Sequence, residues 1–216
     1  MNLTEELDKK RAGAPDFISA DHLKAMGGAT RDLRSTGIVD QALSEGSQAP
    51  AFALPNGHDE TIDVGALMER GAVVLNFYRG GWCPYCNLEL KAYQARLGEM
   101  RGLGAELVAI SPETPDKAAL TEAREKVDFE VLSDVGNAVA RQFGLVFELP
   151  ADIYDIYTNT FGFDIEEYNA DKSHELPIPA TYVIGKGGKV LLAYVDADYS
   201  KRLDPDDVIA ALKSGV

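Results

Sequence analysis

The two cysteines of this 216-residue chain lie close together, within Phe77-Tyr-Arg-Gly-Gly-Trp-Cys-Pro-Tyr-Cys-Asn-Leu-Glu89. Cys83 and Cys86 have C-x-x-C spacing, so their sulfurs can close a short-loop disulfide without unfolding the chain. The apolar run Ala72–Tyr78 precedes them and a helix-like run follows. This order puts the pair at the turn from a buried strand into a helix N-terminus, where free N–H groups and the helix dipole favour a thiolate. Such positions bring a cysteine pKa to roughly 3.5–7.5, and the thiolate is the nucleophile. One sulfur attacks and the other resolves the mixed disulfide or sulfenic acid. Pro84 suits the first helical turn, because its missing N–H would be unpaired there anyway. Trp82 and Tyr85 are placed to shield and orient the pair. A zinc site would need further ligands, and His22, His58 and His174 are not in ligand spacing. No cofactor is implied, and a structural disulfide or a pair of inert buried thiols is the alternative without chemistry.

The elements that must position the pair follow from periodicity. Val73–Tyr78 reads as a buried strand and residues 84–100 as a helix. Further strands are expected at Ala51–Leu54, Thr61–Val64, Leu107–Ile110 and Glu130–Leu132, with helices at 116–126 and 134–143. Thr181–Ile184 and Lys189–Val195, joined by Gly185-Lys-Gly-Gly188, form a hairpin, and Pro205–Lys213 a last helix. Alternating strands and helices give an α/β fold, a central mixed sheet with helices on both faces. Residues 1–45 read as a helical extension, with Leu3 and Leu7 on one face and a second helix capped by Ser19. It suits packing or a homodimer contact. Gly46-Ser-Gln-Ala-Pro50 marks the start of the main domain, 46–216. Residues 145–177 break the alternation as an aromatic and acidic insertion, expected to hold one or two short helices and to pack on the core.

Hydrophobic residues make up 45% of the chain, enough for a sizeable core. The net charge of −14 argues against nucleic acid or an anionic membrane as partner. No run is long and apolar enough to span a bilayer. The N-terminus has no apolar signal core, so a cytoplasmic location is expected.

Over residues 46–213 the sequence resembles the thioredoxin fold, and within it the peroxiredoxin-like branch of the alkyl-hydroperoxide-reductase/thiol-specific-antioxidant group. The resemblance is carried by Gly46-x-x-Ala49-Pro50-x-Phe52-x-Leu54-Pro55, by Val74–Tyr78 leading to Cys86 and Glu89, by Leu132-Ser-Asp134 and by Thr181–Ile184. It implies a thiol-dependent peroxidase that reduces hydrogen peroxide or organic hydroperoxides. The route implied is a sulfenic acid and a Cys83–Cys86 disulfide, with a thioredoxin- or glutaredoxin-type reductant. Three positions depart from the pattern. Arg79 stands where these proteins carry a proline, Cys83 where they carry a threonine, and Pro179 where they carry an arginine. Trp82-Cys-Pro-Tyr-Cys86 and Pro179 resemble thioredoxins instead, whose cis-proline faces the disulfide, although Asn76 replaces their buried aspartate. The thioredoxin pattern makes Cys83 the attacking thiol, as the sulfur nearest the helix start and usually the more exposed, whereas the peroxiredoxin pattern makes it Cys86. Arg79 is the candidate for the missing arginine's task, against the alternative of a solvated loop charge. The competing activity is thiol–disulfide exchange. A redox-sensing module working through residues 1–45 and 145–177 is the non-enzyme alternative.

Overall fold

Strand β3 (Ala72–Phe77) carries six buried residues in a row, as a strand covered on both faces must. Its side chains alternate between two cores. Val74 joins the cluster that holds both cysteines, whereas Val73, Leu75 and Phe77 join the cluster on the opposite face. The remaining elements are arranged around this strand in a computed structural model that describes residues 2–215.

The chain begins with α1 (Leu3–Ala12), α2 (Ala20–Ser35) and the short α3 (Ile38–Gln41). The side chain of Ser19 caps α2 by accepting from the His22 N–H at 3.2 Å, and the helix runs unbroken through Gly27-Gly28. A two-stranded antiparallel ribbon, β1 (Ala53–Pro55) and β2 (Thr61–Asp63), follows, then α4 (Val64–Arg70), β3 and α5 (Pro84–Gly102). Next come β4 (Ala105–Ser111), α6 (Pro115–Glu125), β5 (Glu130–Ser133) and α7 (Ala138–Gln142). The insertion contains β6 (Val146–Glu148), α8 (Ala151–Asp155), a π-helical turn over Ile156–Thr160, α9 (Ile165–Asn169) and β7 (Glu175–Pro177). The chain closes with β8 (Ala180–Ile184), β9 (Val190–Val195) and α10 (Pro205–Gly215).

The five-stranded sheet has the order β5-β4-β3-β8-β9. β3 runs parallel to β4 and antiparallel to β8, so the sheet is mixed, as expected. Helices α1, α5 and α10 cover the face that carries the cysteines, and α3, α4 and α7 cover the other. Two elements differ from the sequence reading. α4 was not expected, although Asp63 caps it and Val64 and Met68, four residues apart, are both buried. The insertion holds the antiparallel ribbon β6–β7 as well as short helices, because Val146–Glu148 pairs with Glu175–Pro177 across 26 intervening positions that no local pattern connects.

The N-terminal helix is built into the core. Leu3 and Leu7 are 0% and 3% exposed and lie in the cluster that contains Cys83 and Cys86, packed on α5. The apolar positions of the arm are therefore used within the chain. Replacing Leu7 with Ala is expected to cost about 2–5 kcal/mol of stability by leaving a cavity. Urea unfolding of the two proteins measures this, and a loss below about 1 kcal/mol would mean that α1 is not part of the core.

Candidate active site

The site is built at the C-terminal end of β3. Tyr78 still bonds to β4, its N–H donating to the Ile110 carbonyl at 2.9 Å, and the chain then turns through Arg79-Gly80-Gly81-Trp82 into α5. Gly80 has φ +144°, and a Cβ there would collide with the Trp82 indole; one on Gly81 would collide with Thr121. Only glycine lets the turn pass this close to its neighbours. Cys83 is the N-cap of α5 and Pro84 its first residue, which puts Pro84 in the first helical turn as the sequence predicts.

The two sulfurs are not bonded to each other in this structure and both residues are 0% exposed, so Cys83 is not the more exposed of the two. The Arg79 guanidinium, itself bonded to Tyr157 of the insertion, lies against the Cys83 sulfur. Arg79 is 3% exposed and is no solvated loop charge. Its Nη2 donates to Cys83 Sγ at 3.4 Å, and its Nη1 donates to the Tyr157 hydroxyl at 2.9 Å. Its guanidinium lies over the rings of Tyr199, Trp82 and Tyr157 at 4.3, 5.0 and 5.7 Å. Tyr157 comes from the π-helical turn of the insertion, so the aromatic residues expected to pack on the core also hold Arg79 in place.

A second guanidinium serves the other thiol. Nη2 of Arg202, from the loop between β9 and α10, donates to Cys86 Sγ at 3.2 Å, and its Nε donates to Glu89 Oε2 at 2.6 Å. Both members of this ion pair are 1% exposed at the side chain. Thr181, which accepts from Asn76 Nδ2 at 3.2 Å, extends the network, and the Tyr93 hydroxyl lies 3.1 Å from it.

Electrostatics separates the two cysteines. Burial opposes ionisation of Cys83, but the Cys86 thiol, Arg79 and Arg202 together outweigh it, and its pKa lies well below the ordinary thiol value. Burial and the neighbouring Cys83 push the Cys86 thiol well up, against the pull of Arg202 and Arg79. Burial also raises the Glu89 carboxyl to about 7 despite its close pairing with Arg202.

The structure therefore brings Cys83, Cys86, Arg79 and Trp82 together. Pro179 is buried beside them and lines a smaller cavity that Arg79 also reaches. Its peptide bond is not cis, since the described residues contain no cis bond, and here the thioredoxin-like expectation fails. The sequence reading noted Glu89 only for its spacing and missed Arg202, Tyr157 and Tyr199. The one available signal for Arg202 was Glu89 itself, since a carboxylate on the inner face of a helix calls for a cation.

A family model described as "AhpC/TSA family" matches residues 46–193. "Putative peroxiredoxin bcp" of Haemophilus influenzae is 32% identical over 103 residues, which cover 48% of this chain and 66% of that protein. "Peroxiredoxin Q, chloroplastic" of Triticum aestivum is 27% identical over 164 residues, 76% of this chain and 64% of that protein. The match thus spans just under two thirds of each of these relatives. Among solved structures, peroxidoxin BcpB from Mycobacterium tuberculosis superposes with a TM-score of 0.62 at 24% identity, covering 80% of this chain and 97% of that one. At that identity the likeness shows the fold.

The raised Glu89 carboxyl has a consequence for stability. Its folded pKa of about 7 exceeds the ordinary 4.5, so the folded state holds a proton that the unfolded state has lost in that window. The contribution is complete below pH 4.5 and is lost as pH rises through 7. The stability difference between wild type and Glu89→Gln is therefore expected to fall across this window and flatten above it. Urea unfolding at a series of pH values measures it, and a difference independent of pH would contradict the assignment.

Proposed function

The chain belongs to the AhpC/TSA family, and we propose that it is a thiol-dependent peroxidase, reducing hydrogen peroxide or an organic hydroperoxide with Cys83 as nucleophile and Cys86 as resolving thiol. One observation carries this reading: a buried guanidinium, Arg79, rests on the Cys83 sulfur at the first turn of α5. It supplies a positive charge both to the thiolate and to the oxygen that leaves when a peroxide is cleaved.

The Cys83 thiolate attacks one oxygen of the peroxide, a sulfur–oxygen bond forms, and the O–O bond breaks. The other oxygen departs with the bonding pair and takes a proton, leaving as water or an alcohol, while Cys83 becomes a sulfenic acid. Cys86 then attacks the sulfenic sulfur. The S–S bond forms, the S–O bond breaks, and hydroxide leaves as water with the proton that Cys86 gives up. Arg202 beside Cys86 favours the thiolate this step needs. A thioredoxin- or glutaredoxin-type dithiol reduces the Cys83–Cys86 disulfide by exchange and is itself oxidised. Trp82, Tyr157 and Tyr199 hold Arg79 over the sulfur, and Pro179 lines the smaller cavity that Arg79 also reaches. Two thiols that must return to the reduced state suit a reducing compartment such as the cytoplasm.

A second reading, thiol–disulfide exchange with no peroxide step, is favoured by the position of Cys83 as N-cap of a C-x-x-C helix. Peroxide consumption separates the two. Wild type with a dithiol reductant is expected to turn over repeatedly and much faster than free cysteine. Cys86→Ser is expected to consume a single equivalent of peroxide and stop at the sulfenic acid, and Cys83→Ser to consume none. A wild-type rate no faster than free cysteine would overturn the peroxidase. A Cys83→Ser protein that still forms a sulfenic acid at Cys86 would reverse the roles of the two thiols.

A further inference from the structure

One loop serves both guanidinium–sulfur contacts. Residues 196–204 join β9 to α10 without helix or strand, and they carry Tyr199 and Arg202. Tyr199 is the ring nearest the Arg79 guanidinium, at 4.3 Å, and it lies edge-on to Tyr85 of the C-x-x-C turn, the ring centroids 5.7 Å apart. Arg202 donates to Cys86 Sγ. A segment without ladder or helical bonds keeps its shape only through the partners its polar groups find.

Those partners fall into three groups. Within the loop, Asp198 Oδ1 accepts from the Ser200 N–H and hydroxyl at 3.0 and 2.7 Å, and Asp196 Oδ1 accepts from the Asp198 N–H at 2.8 Å. From α5, the Tyr93 hydroxyl donates to the Leu203 carbonyl at 3.2 Å. From the N-terminal arm, Arg11 Nε donates to Ser200 Oγ at 3.2 Å and its Nη2 to the Ser200 carbonyl at 3.4 Å, while its Nη1 holds Asp8 at 2.8 Å. Arg34 of α2 donates to Asp196 Oδ1 at 2.9 Å. Arg11 lies one helical turn beyond Leu7, so the face of α1 that buries Leu3 and Leu7 also carries Arg11 to the loop. Ser200 stands between Tyr199 and Arg202, and Arg202 Nη1 returns to the Tyr199 and Lys201 carbonyls at 2.5 and 2.6 Å. Displacing Ser200 therefore displaces the backbone that carries both residues of the site. Neither the arm nor this loop falls within the matched residues 46–193.

We propose that Arg11 is a positioning residue of the redox pair: acting through Ser200, it holds the 196–204 loop so that Arg202 stays on Cys86 and Tyr199 stays on Arg79. The rigid fork of an arginine meets a hydroxyl, a backbone carbonyl and a carboxylate at once, which the single ammonium of a lysine does not. This positioning role rests on the redox reading of the cysteine pair and is common to the peroxide route and to disulfide exchange. The two guanidiniums favour thiolates, and thiolates exist only in the reduced protein. Loosening the loop therefore weakens the reduced state against the disulfide and makes the couple more reducing.

The couple is poised in graded mixtures of reduced and oxidised dithiothreitol, and the disulfide fraction is read after alkylation. In this exchange the protein's S–S bond breaks as two thiols form, while the reagent's two thiols close as its own disulfide. Arg11→Gln is expected to lower the reduction equilibrium constant about fivefold, the scale of one lost hydrogen bond, or ~20 mV toward more reducing. Arg11→Lys keeps the charge and loses the fork, so it is expected to fall with Arg11→Gln. Ser200→Ala breaks the link from the loop side and is expected to shift the couple in the same direction. The double variant Arg11→Gln/Ser200→Ala is expected to shift it by less than the sum of the two. An unchanged constant in Arg11→Gln, whatever its stability in urea, makes the arm packing alone and overturns the positioning role. A wild-type constant in Arg11→Lys assigns the effect to charge at a distance, and additive single effects show that Arg11 does not act through Ser200; either result overturns it. A wild type that forms no Cys83–Cys86 disulfide in any mixture overturns the redox reading together with it.

Discussion

A guanidinium buried without a carboxylate is the constraint on which this site depends. Arg79 is withdrawn from water, and removing a full charge from water costs several kcal/mol unless it is compensated. None of the ion pairs among the described residues involves Arg79. Its neighbours are three aromatic faces, the Tyr157 hydroxyl and one sulfur. Cation–π contacts contribute about 0.5–2 kcal/mol each and a hydroxyl about as much, which does not neutralise a buried cation. The group able to supply the opposite charge is Cys83. The environment that makes Cys83 reactive is therefore also the one in which the thiolate, rather than the thiol, completes the packing.

Arg202 shows the contrast. It is buried just as deeply, but it has a carboxylate partner in Glu89 and carbonyl acceptors at Tyr199 and Lys201. Its donors are already occupied by Glu89 and these carbonyls, so it depends less on a thiolate at Cys86. Two similar guanidinium–sulfur contacts thus sit in different charge environments, and two adjacent cysteines become inequivalent. This asymmetry suits a reaction in which one sulfur must be ionised before the substrate arrives and the other only afterwards.

The frame of the site was legible from sequence because it is local. The apolar run of β3, the C-x-x-C pair at the helix start and Pro84 in the first helical turn lie within about fifteen positions and obey period and helix-start rules. The same rules recovered α1, α2 and the β8–β9 hairpin. What surrounds the sulfurs was not legible, because it arrives from far along the chain. Arg202 is 116 residues from Cys86, and Tyr157 is 78 residues from Arg79. Neither lies in a motif, and Tyr157 sits in a π-helical turn that breaks the ordinary helical period. The expectation of a more exposed Cys83 failed for a related reason, since the Arg79 that lies on its sulfur is bonded to Tyr157 of the insertion, outside the alternating pattern. Arg79 was legible in position and ambiguous in role, because a loop arginine reads alike whether it faces solvent or a buried thiol.

The coupling between Arg79 and Cys83 is tested most directly by titrating the Cys83 thiolate alone. In a Cys86→Ser background one sulfur remains, and its ultraviolet thiolate absorbance is followed against pH with Arg79 intact and with Arg79→Met. With Arg79 present, ionisation is expected well below the ordinary thiol value of about 8.5, and Arg79→Met is expected to move the midpoint up by more than about one pH unit. The same midpoint in both proteins would contradict the claim that the buried guanidinium holds Cys83 as a thiolate.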